Sequence, residues 1–142
     1  MKKKMNGQVI MTFSEDIENF DLRDWIESHT SSFKPLHRYE GELILENDKL
    51  KFKGKDNKEE KPFELEIELK KITDVYLGLD EVFTRGNVNN LELWLRPLRI
   101  KFDMDGSEKT IYLFIDFKSL TKTSDNKKWF EVLKDLDKTM DF

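Results

Sequence analysis

The sequence predicts a mainly β domain closed by one C-terminal helix, and three observations carry that prediction. From Tyr39 onward, apolar and charged residues alternate with period two through several short runs, the pattern of strands with one buried and one solvated face. Turn dipeptides, Asn47-Asp48 and Asp105-Gly106, separate runs at hairpin spacing. After Ser124 the period becomes helical, with Trp129, Val132, Leu133, Leu136 and Met140 on one stripe.

Residues 1–38 read as an N-terminal extension packed on a domain of residues 39–142. Val9 to Phe13 suits a short strand. Asp21 is placed as an N-cap, Asp24 falls in the first turn, and Leu22, Trp25, Ile26 and His29 stand at helical spacing. With Phe20 and Trp25 as a hydrophobic staple, this predicts a short helix at 22–29 that ends by Ser31 to Pro35.

The first hairpin follows. Gly41, Leu43 and Leu45 alternate with Glu40, Glu42 and Glu46, then Leu50 and Phe52 with Lys49, Lys51 and Lys53. A two-residue loop at 47–48 pairs Glu46 with Lys49, Leu45 with Leu50, Leu43 with Phe52 and Glu42 with Lys53. A polar loop, Lys55 to Pro62, leads to a third strand with Phe63, Leu65, Ile67 and Leu69 inward. Its outward Glu64, Glu66 and Glu68 fold back near Lys53, Lys51 and Lys49. A lysine stripe thus lies between two glutamate stripes, with opposite charges adjacent across strands.

Ile72, Val75 and Leu77 mark a fourth strand, and 79–90 reads as a long excursion. Leu91, Leu93 and Leu95 alternate, and the phase flips after Pro97 to Leu98, Ile100, Phe102 and Met104. A proline there marks an edge bulge or a corner. The Asp105-Gly106 turn leads to a last strand, Thr110 to Phe117, apolar on both faces. Ser124 is the expected N-cap of the final helix, with Asp125 at the positive end of its dipole.

Six to seven short strands followed by an amphipathic helix carrying a tryptophan resemble the pleckstrin-homology (PH) superfold, and within it the GRAM-like and bacterial PH-like domains. The residues that carry the resemblance are Glu40 to Leu45, Leu50 to Gly54, Phe63 to Leu69 with Ile72 to Val75, Leu98 to Phe102, and Lys128-Trp129-Phe130. It spans residues 39–138 and rests on order and spacing. It implies a bent antiparallel sheet sandwich that the C-terminal helix caps, with Trp129 in the core.

Composition narrows function. Charged residues make up 38% of the chain, but the signs are mixed and the net charge is −4. That balance argues against nucleic acid, whose non-specific binders carry clustered excess positive charge. Without cysteine there are no disulfides, thiolate metal sites or cysteine nucleophiles. Met1-Lys2-Lys3-Lys4 has the charge of a signal peptide, yet the apolar run Val9 to Met11 is too short for one. The expected location is cytoplasmic.

No GxSxG, P-loop, GxGxxG or HExxH spacing occurs, and the two histidines, His29 and His37, stand alone. Glu64, Glu66 and Glu68 alternate on a solvated face, where no pocket shifts a carboxylate toward acid–base work. Asp103-Met104-Asp105-Gly106 lacks the distal glutamate of a calcium loop and is better explained as a hairpin turn. The expectation is a non-enzymatic binding module with no cofactor and no metal.

Two surfaces are candidates for binding. Lys49, Lys51, Lys53 and Lys55 form a stripe, and the PH resemblance implies that basic residues on the first hairpin can hold phosphoinositides. The turn Glu46-Asn47-Asp48-Lys49 puts acid at that place, however, and the flanking glutamates favour an ion-paired exterior. Arg99 and Lys101 share an outward face with Tyr112 and Phe114, a mixture that protein interfaces prefer. Against this patch stands coverage by the N-terminal segment through Ile10, Phe20 and Trp25, because uncovered aromatic patches are rare on monomers. The expected function is an adaptor for a protein partner or another copy of the chain, with acidic membrane lipid as the alternative.

Overall fold

The computed structural model describes residues 4–18, 38–46, 48–78, 97–117 and 124–139. Seven strands run in the order β1 (Lys4–Phe13), β2 (Tyr39–Glu46), β3 (Lys49–Asp56), β4 (Lys61–Glu68), β5 (Ile72–Leu77), β6 (Leu98–Met104) and β7 (Ser107–Ile115). A five-residue helix, α1 (Ser14–Glu18), follows β1. A 3-10 turn at Leu69–Lys71 joins β4 to β5, and α2 (Asn126–Thr139) follows β7. All pairings are antiparallel in one sheet of order β4-β3-β2-β1-β7-β6-β5, curled into a half-barrel.

Alternation puts one face of every strand into a single core. Val9 and Met11 of β1 meet Leu43 and Leu45 of β2, Leu50 and Phe52 of β3, and Leu65 and Ile67 of β4. From the other side come Val75, Leu98, Ile100, Phe102, Ile111, Leu113 and Ile115. The first hairpin has the register that its charge pattern requires: Glu46 opposite Lys49, Leu45 opposite Leu50, Leu43 opposite Phe52 and Glu42 opposite Lys53. A one-residue slip would turn Leu50 and Phe52 out to water, so burial locks the pairing. At the second hairpin Asp105 and Gly106 both take positive φ, 52° and 86°, as a two-residue type I′ turn demands.

β1 occupies the centre of the sheet. It pairs with β2 through Lys4–Met11 and with β7 through Val9–Phe13, joining the two halves. The strand expected at Val9–Phe13 is therefore longer and integral to the sheet, so residues 4–13, read as part of an N-terminal extension packed on the domain, are sheet instead. The helix expected at 22–29 and the leucine run at 91–95 lie outside the described residues. Leu69, read as the end of the third strand, is buried in the 3-10 turn, its N–H donating to the Asp48 carbonyl at 2.9 Å.

Gly41 and Gly54 face each other at an inward position of β2 and β3. A Cβ on Gly54 would fall on the Glu40 carbonyl and lie 2.6 Å from Gly41 Cα, so only glycine permits this approach. Around it pack Phe13, Tyr39, Phe52 and Phe63, with Tyr39 and Phe63 centroids 4.4 Å apart. Gly54→Ala is expected to push the strands apart and cost about 2–3 kcal/mol, the range for overpacking a filled core. Urea unfolding measures this; an unchanged midpoint would mean that the strands have room to separate.

α2 packs against β5, β6, β7 and the 3-10 turn, burying Trp129 and Leu133 with Phe130, Val132 and Leu136 half-buried. Met140 lies outside the described residues. Ser124 Oγ accepts the Asn126 N–H at 3.3 Å, as the expected N-cap does. Asn126 itself is buried and continues the sheet's hydrogen bonding with its amide. Its Oδ1 accepts from Ile115 N–H at 2.8 Å, and its Nδ2 donates to the Leu113 carbonyl at 2.9 Å.

Candidate functional site

On the outer face of β3, Lys49, Lys51 and Lys53 stand opposite Glu68, Glu66 and Glu64 of β4, and Lys55 stands opposite Pro62. On the β2 side Lys49 faces Glu46, Lys51 faces Ile44, Lys53 faces Glu42 and Lys55 faces Glu40. The alternating charge stripes therefore exist as the sequence implied. Close pairing concentrates at one diagonal, where Lys49 Nζ lies 2.8 Å from Glu66 Oε1. That contact raises the Lys49 ammonium above its ordinary range and lowers the Glu66 carboxyl below its own. Of the ion-pair reach expected from these lysines to at least two of the named glutamates, Lys49–Glu66 supplies one such pair.

The second candidate surface divides. Arg99 lies opposite Tyr112 as expected, and Lys101 opposite Thr110. Tyr112 and Phe114, however, are only 2% exposed. Ile10 pairs with Phe114 and Thr12 with Tyr112 across β1–β7, and both are buried too. Phe117 packs edge-on to Phe114 at 6.4 Å. The two aromatics thus belong to a buried layer on the far side of the sheet from the main core, which corrects their assignment to an open patch. Ile10 is part of that layer, as the covering alternative required; Phe20 and Trp25 lie outside the described residues.

Tyr76 is the aromatic that the outward face does present. It pairs with Arg99 across β5–β6 and is 41% exposed, the one exposed large hydrophobic side chain among the described residues. The Arg99 guanidinium sits 4.7 Å above its ring centroid, and Arg99 Nη2 donates to Asp74 Oδ2 at 2.9 Å. The signal was present in the sequence: Val75 is inward, so Tyr76 must be outward.

A polar cluster that the sequence reading did not foresee closes the aromatic end of the core. Arg38 grips Asp56 with two bonds, Nε to Oδ1 at 2.9 Å and Nη2 to Oδ2 at 2.8 Å, and reaches Asp16 Oδ1 with Nη1 at 2.8 Å. Asp56 is 2% exposed and also accepts the N–H groups of Lys58 and Glu59. Burial pushes its carboxyl upward, but Arg38 and the two backbone donors outweigh burial and hold it below the ordinary carboxylate range. The Tyr39 phenol beside it is pushed up to about 12, first by burial and then by the charge of Asp16. Every carboxylate oxygen here is engaged, so the cluster reads as a structural lock.

A cleft of about 250 Å³ opens where the half-barrel leaves β4 unjoined to the far end of β6. Ile67, Phe102 and Met104 line it with Glu66, Glu68, Lys71, Asp103 and Asp105. None of Lys49, Lys51, Lys53 or Lys55 borders it. Among the described residues no group of histidines or carboxylates is arranged to hold a metal ion, and no helix is long and apolar enough to cross a membrane. Comparison with family models, with curated proteins and with solved structures gives no match to this chain.

Proposed function

We propose that this chain is a non-catalytic, PH-like binding module of the cytoplasm whose protein-docking surface is the outward face of β5 and β6 around Tyr76 and Arg99. The carrying observation is the exposed Tyr76 ring under the Arg99 guanidinium, with Asp74 holding Arg99 in place. Tyr and Arg are the side chains that most often dominate protein interfaces. Two that are already stacked lose less conformational freedom on binding. Seven antiparallel strands and a C-terminal helix carrying a buried Trp129 support the PH-like reading, and a chain without cysteine suits a reducing compartment.

The test compares wild type with Tyr76→Ser in affinity capture from the native cell and in co-sedimentation with phosphatidylserine vesicles. A partner protein is expected that Tyr76→Ser captures at least tenfold less, with no salt-sensitive sedimentation. Vesicle binding that falls with salt and disappears in Lys51→Glu/Lys53→Glu would replace this reading with acidic-lipid recognition by the lysine stripe.

A further inference from the structure

β4 ends the sheet: among the described residues its only strand neighbour is β3. A terminal strand presents unpaired N–H and C=O groups to whatever strand can add to it. Its outward side chains Glu64, Glu66 and Glu68 form a periodic acidic stripe, with Glu66 and Glu68 about half exposed at 50% and 42%. The lysines of β3 complement that stripe from one side only. On the other side the edge opens into the cleft floored by Ile67, Phe102 and Met104, whose rim holds four carboxylates and one lysine.

We propose that the edge of β4 that no described strand pairs with takes up an extended basic segment of a partner protein as a further, antiparallel strand, with one large apolar side chain of that segment seated in the cleft. Charge selects the occupant. A second copy adding through its own β4 would set glutamates against glutamates, which opposes pairing. A strand with lysine or arginine at alternate positions would instead repeat on the open side what β3 does on the closed side. Its intervening apolar residues would continue the inward row of Phe63, Leu65 and Ile67. This inference stands apart from the Tyr76 surface, which lies on β5.

The test uses the full chain and a fluorescent peptide KLKFKGK, which copies the alternation of Lys49–Lys55, beside a control of the same composition in the order KKKKLFG. The alternating peptide is expected to bind at least tenfold more tightly than the control. Glu64→Lys/Glu68→Lys should weaken it at least tenfold, and Tyr76→Ser should leave it unchanged. If the lysine variant does not fold, Glu64→Gln/Glu68→Gln removes the charge without reversing it and should weaken binding in the same direction. Amide NMR should show shifts along β4 while the β2–β3 ladder keeps its protection. Equal binding of the two peptides, affinity indifferent to the glutamates, or loss of protection in β3 through strand exchange would each overturn the proposal.

Discussion

Trp129→Ala is expected to lower the stability of the fold by about 3–5 kcal/mol, the range for removing a core tryptophan. For a chain of this size that corresponds to a fall of roughly 10–15 °C in melting temperature. Trp129 is the largest of the fully buried side chains, 1% exposed, on the first turns of α2 where the helix meets β5, β6 and β7. Its removal leaves a cavity bounded by sheet on one side. The helix cannot slide inward to fill it, because the Asn126 amide fixes the first turn to the Leu113 and Ile115 backbone. Calorimetry or urea unfolding measures the loss, with exposed Lys128→Ala as a control that should change little. A shift of only a degree or two would show that the helix is peripheral to the core.

Arg38→Met carries an expected loss of similar size, about 3–5 kcal/mol at neutral pH, because it strands a buried carboxylate. Without the guanidinium, Asp56 keeps only the N–H groups of Lys58 and Glu59, while burial, the largest influence on it, acts against ionisation. The pH dependence has a definite sign. In wild type the folded carboxyl titrates below its unfolded value of about 3.9, so this stabilisation is complete above that pH and is lost as pH falls through the lower folded value. In Arg38→Met burial is left to raise the Asp56 carboxyl, so the difference between wild type and variant should be largest near neutral pH and narrow as pH falls through the acidic range. Urea midpoints across that range test it; a difference independent of pH would mean that the Arg38 contribution is packing on the Tyr39 ring, 5.1 Å from the guanidinium carbon.

The sheet's local rules were legible because each rests on near neighbours in the chain. Hairpin register at Glu46–Lys49 and at Met104–Ser107, the inward and outward rows of β2 to β4, and the helical stripe at Trp129 and Leu133 all follow from period and turn chemistry. Asp56 falls in the stretch Lys55 to Pro62 that reads as a polar loop. The structure extends β3 to it, where it continues the inward series Leu50, Phe52, Gly54, and a carboxylate at an inward position demands a cation; the sequence does not say which one. Arg38 answers from 18 residues away and Asp16 from 22 residues beyond that.

Periodicity thus assigned each residue to a face, the order of hairpins and the place of the helix, since strand and helix geometry act over two to four residues. It could not say that β1 lies between β2 and β7, because nothing in β1 alone favours one edge over two. That choice came from closing the sheet, where Val9 and Met11 of β1 enter the main core while Ile10 packs opposite Phe114 on the other face. The same closure buried Tyr112 and Phe114 beside Ile10 and, among the described residues, left Tyr76 as the exposed aromatic. Burial on the outer face of a strand depends on what the rest of the chain lays over it, a long-range term that alternation within one strand does not carry.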